Sequence, residues 1–185
     1  FYGVSINGSD NVIRSSYVVG GSYYPGIGIV GSNNTVYDVT VRGGYGIAIL
    51  GDYNLIYNSN ATGYGYDGVY VRGNRTVIVR SYVYGNWSGV YIYGSNNNVT
   101  GSNVTAVRHD GVYIVGSNNT ICDSNFVGGW AGMYIAGSHN NIYDVNVTGE
   151  GFGGLGIAGS YNLIRDSAIV GRGFYGVSIN GSDNV

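Results

Sequence analysis

Apolar side chains recur along this chain in steps of two, and the whole pattern recurs about every 22 residues. In "GVYIVGSNNTI" (residues 111–121), Val112 and Ile114 alternate with Tyr113, a glycine and a polar run follow, and Ile121 resumes the apolar set. The same arrangement starts at Gly3, Gly26, Gly46, Gly68, Gly89, Gly111, Gly132, Gly154 and Gly176, at intervals of 20 to 23 residues. With that first glycine as position 0, position 1 is apolar throughout and position 5 is always Gly in the eight complete repeats. Position 3 (Ile6, Ile29, Ile49, Val71, Ile92, Ile114, Ile135, Ile157) and position 10 are always Ile or Val, and position 15 is apolar. All variation in length falls after position 15.

Positions 1 and 3, 8 and 10, and 13 and 15 are spaced by two, the side-chain period of a strand. Three short strands with corners between them predict one coil of a β-solenoid, and glycine at positions 0 and 5 is expected at corners where φ is positive. A single coil cannot bury its inward face, so coils must stack at about 4.8 Å per step. Parallel crossovers favour the right-handed sense. A helical array is excluded, because β-branched residues and glycine fill the chain and no 3.6-residue stripe is present. The expectation is an all-β, right-handed parallel β-helix of about eight coils with three short strands each.

Two classes of asparagine interrupt the apolar pattern. Position 8 is Asn in seven of eight coils (Asn11, Asn34, Asn54, Asn97, Asn119, Asn140, Asn162), with Thr76 as the exception. It shares the inward parity of position 10, and an inward polar group must be hydrogen-bonded, so a structural ladder of stacked amides is expected. The second class is the triplet Asn-x-Ser/Thr, at Asn7, Asn33, Asn60, Asn74, Asn86, Asn98, Asn103, Asn118, Asn146 and Asn180. About three such triplets would arise by chance at this composition; ten are present, and none uses a position-8 Asn. They fall at outward or corner positions, where Asn and Thr serve as turn residues in their own right and where covalent N-linked glycans also fit; dense N-glycosylation, the expectation here, implies export.

Composition narrows the function. Glycine makes up 35 of 185 residues, Tyr 20 and Pro one, and the net charge is −2 with every basic residue an Arg. Nucleic-acid binding needs a concentrated basic face, which is missing. No apolar run is long enough to span a bilayer. The single Cys122 excludes an internal disulfide framework. No cofactor is implied.

The repeats "GVYIVGSNNTI" and "GIGIVGSNNTV" (26–36) resemble the right-handed parallel β-helix repeats of the pectate-lyase-like superfamily, in particular the carbohydrate-binding and sugar-hydrolase type found in archaeal and bacterial surface proteins. The resemblance covers the whole chain and implies a scaffold shared by lyases, hydrolases, adhesins and surface-layer components, so function must be read from sites. For an enzyme, the carboxylates to consider are Asp123, Asp144 and Asp166 at position 12 of three consecutive coils, with Asp38 further away. Stacked about 4.8 Å apart they are weak candidates for a Ca²⁺ site; Asp at a corner also makes local turn bonds. No Lys is present to act as a base and no insertion walls a groove, so no catalytic residue is assigned and a non-enzyme is expected. Tyr70, Tyr91, Tyr113 and Tyr134, at position 2 of four consecutive coils, form an outward stripe suited to sheet stabilisation or to contact with glycans or neighbouring fibres.

Residues 1–12, "FYGVSINGSDNV", recur letter for letter as 174–185. The chain 1–185 therefore reads as a single solenoid, one 173-residue unit (1–173) followed by the start of the next identical unit (174–185). The expected role is a structural component of an extracellular or cell-surface filament, with copies of itself end to end along the axis. The alternative is a carbohydrate-binding or carbohydrate-cleaving surface protein on the same coil.

Overall fold

The computed structural model describes residues 1–185. Its 25 strands form three parallel sheets, one on each side of a triangular stack. Sheet A has nine strands, from Val4–Asn7 to Tyr175–Asn180. Sheet B has eight, from Val12–Arg14 to Leu163–Arg165, and sheet C eight, from Tyr17–Val19 to Ala168–Gly171. Every strand pairs with its counterpart one coil away, and the register follows the repeat: Tyr70 lies opposite Tyr91, and Tyr91 opposite Tyr113. The predicted all-β, three-strand coil is the fold. No helix is long and apolar enough to cross a membrane.

The core is the stack of positions 1, 3, 10 and 15. Ile27, Ile47, Val69, Val90, Val112, Met133 and Leu155 form one column, and Val36, Ile56, Ile78, Val99, Ile121 and Ile142 another, all in one cluster of 29 buried residues. Each fully buried Ile or Val contributes about 1.5–3 kcal/mol relative to exposure. Because like sits on like, the cluster runs the length of the axis without a centre.

The corners differ in one respect from the sequence expectation. The left-handed turns fall at positions 7 and 12 and are mostly non-glycine: Asn33, Asn118 and His139 at position 7, and Asp38, Asp123, Asp144 and Asp166 at position 12, all have φ between 50° and 59°. Asn and Asp tolerate that region better than other L-residues. Glycine at position 5 does take positive φ, 143–158° in Gly31, Gly51, Gly94, Gly116, Gly137 and Gly159. Position 0 does not. There glycine is needed because a Cβ would strike the neighbouring coil, as Gly111 would strike the Gly132 carbonyl at 2.5 Å.

Candidate functional site

Three side-chain ladders tie the coils together. In the expected asparagine ladder, each Oδ1 accepts the backbone N–H of the Asn one coil earlier: Asn97 to Asn119 at 2.8 Å, Asn119 to Asn140 at 2.9 Å, Asn140 to Asn162 at 2.9 Å. The amide nitrogens add side-chain bonds along the same column and bind the carbonyl of the position-5 glycine one coil earlier, such as Asn119 Nδ2 to Gly94 O at 3.2 Å. The ladder continues into Asn184, which accepts from Asn162. Thr76 receives no comparable role: its N–H donates to Asn97 Oδ1, but its own hydroxyl is buried without a partner. A second ladder runs at position 13, which shares the inward parity of position 15 yet is mostly serine. Ser59, Ser81, Ser102 and Ser124 are buried, and each hydroxyl accepts an N–H from the preceding coil while donating to the carbonyl two residues back.

The third ladder is aromatic, and the sequence reading found only half of it. Tyr70, Tyr91, Tyr113 and Tyr134 stack face to face with centroids 5.0–5.5 Å apart. They are half-buried, more covered than an exposed stripe. Beside them runs a second row, two residues before each position-0 glycine (Tyr66, Trp87, His109, Trp130, Phe152 and Phe174), which meets the first where His109 lies 5.9 Å from Tyr113. Its backbone pairs from coil to coil, for example Trp130 N to His109 O at 3.1 Å, and its rings stack in pairs, Trp87 on His109 at 5.2 Å and Trp130 on Phe152 at 4.8 Å.

Between the two rows runs a groove along the axis, floored by the residue just before each position-0 glycine. Tyr45 and Tyr175 fill its ends; Asp67, Ser88, Asp110, Ala131 and Gly153 line the floor between them. Two hollows open in it, about 530 Å³ at Asp67 and about 180 Å³ at Asp110. Both aspartates are buried, and each accepts one backbone N–H from the next coil: Asp67 from Ser88 at 2.9 Å, Asp110 from Ala131 at 3.1 Å. Burial pushes the Asp67 carboxyl above the usual range. His109 Nδ1 lies 3.2 Å from Asp110 Oδ2, and that contact raises the imidazole above its ordinary value against the opposing effect of burial. Burial likewise raises Tyr45, Tyr91 and Tyr113. The groove presents flat π faces and two carboxylates two rungs apart, about 9.6 Å.

The other candidates are dispersed. Asp123, Asp144 and Asp166 occupy left-handed corners of sheet B, and nowhere do three His, Cys, Asp or Glu side chains converge as a metal group. Arg165 pairs with Asp166 at 2.5 Å. Cys122 is buried, its Sγ donating to Thr100 Oγ1 at 3.1 Å. Of the ten triplet asparagines, Asn7, Asn33, Asn60, Asn74, Asn103, Asn118, Asn146 and Asn180 are exposed; Asn86 and Asn98 are half-buried, and Asn98 Oδ1 is buried without a partner.

The family comparison agrees with this architecture: a family described as "Right handed beta helix region" matches residues 2–160. No curated protein and no solved structure matches the chain.

Proposed function

From the premise that this chain belongs to the right-handed β-helix family, a scaffold that does not itself decide function, we propose that it is a structural component of an extracellular filament. In this reading 173-residue units run as one continuous solenoid, coated by N-linked glycans and without catalytic activity of its own. The observation that carries it is the pair of identical stretches. Residues 1–12 have the next coil packed against one side: Val4–Asn7 pairs with Ile27–Val30, and Asn11 donates to Asn34. Residues 174–185 have the previous coil packed against the other side: Leu155 pairs with Val177, and Asn162 donates to Asn184. Together they display both faces of one rung, each in native contact. A junction between units therefore needs no contact that the molecule does not already make. Eight coils advance about 38 Å per unit, and exposed strand edges favour such continuation.

Electron microscopy of the purified native protein tests this. Uniform thin fibres with a layer repeat near 4.8 Å support it; discrete short particles overturn it. The aromatic groove favours a second reading, saccharide binding or cleavage, since sugar rings lie on π faces and paired carboxylates serve glycoside chemistry. Quenching of Trp87 and Trp130 fluorescence by soluble oligosaccharides, together with cleavage of them, would place the protein there instead.

A further inference from the structure

The outward face of sheet C arranges three of the triplets in a way the sequence does not display. Asn60, Asn103 and Asn146 all occupy position 14, the first residue of their strands, and all are exposed. Their hydroxyl partners Thr62, Thr105 and Thr148 stand two residues on, hence on the same face of the same strand. The three asparagines sit in coils three, five and seven. In the coils between, the register places Tyr82 beside Asn60 and Asn103, and Asn125 beside Asn103 and Asn146. Asn125 is followed by Phe126 and Val127, so it has no hydroxyl partner.

This alternation fits a steric limit. Adjacent rungs are about 4.8 Å apart, too close for two linked sugars side by side, whereas alternate rungs give about 9.6 Å. No column of the solenoid carries triplets on adjacent rungs. A second feature lies between the first two sites. A surface hollow of about 210 Å³ is lined by Asn60, Thr62, Tyr82, Tyr84, Asn103 and Thr105, with Tyr82 63% exposed. Its two tyrosines offer a ring face for a first sugar attached at either rim. The amide chemistry is also compatible. Asn125 donates to Asn103 at 2.8 Å and Asn146 to Asn125 at 2.9 Å. A primary amide has two N–H groups, so Asn146 can keep its ladder bond after one hydrogen is replaced.

We propose that Asn60, Asn103 and Asn146 carry N-linked glycans that stand as one axial row on sheet C, on alternate rungs, with the Tyr82–Tyr84 hollow seating the first sugar. This rests on the reading of the chain as an exported filament. The donor is a saccharide linked to a lipid phosphate. The Asn Nδ2–C1 bond forms as the C1–O bond to phosphate breaks; the lipid phosphate leaves with the electron pair, and one amide proton is lost to solvent.

Glycopeptide mass spectrometry of the protein recovered from outside its native cells tests the row. Sugar mass is expected on the peptides bearing Asn60, Asn103 and Asn146. Thr105→Ala is expected to remove the increment at Asn103 alone, and Thr105→Ser to retain it. Bare peptide mass at all three, or sugar at Asn98 with these three bare, overturns the row. Imaging the same preparation separates the two ideas: bare fibres reject the row and leave the filament, and glycosylated single particles reject the filament and leave the row.

Discussion

Residues 1–12 and 174–185 have one sequence and two surroundings. In the first copy Ile6 is half-covered by the coil that follows; in the second, Ile179 is 47% exposed, although its counterpart one coil earlier, Ile157, is 2% exposed. The glycines show the polarity of a rung more sharply. A Cβ on Gly181 would overlap the Gly159 carbonyl oxygen, whereas one on its twin Gly8 would meet only Asn11 Nδ2 at 3.5 Å. Conversely, a Cβ on Gly3 would lie 2.7 Å from the carbonyl oxygen of Gly26 in the following coil, and one on its twin Gly176 would meet nothing. Position 5 is thus crowded by the coil before and position 0 by the coils after. Each copy lacks one of these neighbours, the contact that the proposed continuation would supply.

The largest effect that sharpens this contrast is at an interior glycine. Gly116→Ala places a Cβ on the Gly94 oxygen at a φ of 153° and is expected to cost on the order of 3 kcal/mol or more, read as lowered thermal unfolding, while Gly8→Ala leaves the isolated chain unchanged. Equal losses for the two would break the contrast. Next is the amide ladder. Asn119→Ala strands the Asn97 N–H and the Gly94 carbonyl and removes one of the two bonds to Asn140 Oδ1, with an expected loss of about 2–3 kcal/mol by denaturant titration. Asn184→Ala affects one side only and should cost about 1 kcal/mol or less.

A smaller effect concerns the groove. The folded state raises the Asp67 carboxyl, so it binds the proton more tightly than the unfolded chain. Stability from this group is highest at acid pH and falls as pH rises from the ordinary carboxylate range through the raised folded value. Asp67→Asn keeps an oxygen for the Ser88 N–H and should stabilise the protein by about 1 kcal/mol at neutral pH, with the gain vanishing in acid. A gain that persists at low pH would contradict the burial account.

The same forward count from position 0 explains what was legible in the sequence. Positions 0 to 15 never slip, so the strands, the core columns and the asparagine ladder could be read directly. The serines at position 13 could not, because their inward parity suggested an apolar residue and only the structure shows each hydroxyl satisfied twice. Trp87, His109, Trp130 and Phe152 escaped because the segment before them varies in length; counted backward from the next glycine they fall in register. Glycine at position 0 was placed correctly for a different reason, close approach of backbones in place of a left-handed turn. The groove depended on that second aromatic row and was invisible until the coils were stacked.

The central claim is that a rung accepts another unit as it accepts its own neighbour. A chain carrying the 173-residue unit twice in tandem tests this by small-angle scattering with thermal unfolding. One rigid rod near twice the single-unit length of about 38 Å, melting in one transition, is predicted, and Gly8→Ala in the second unit alone should break it into two bodies. Two hinged bodies in the unsubstituted tandem, or a rod indifferent to that alanine, would contradict it.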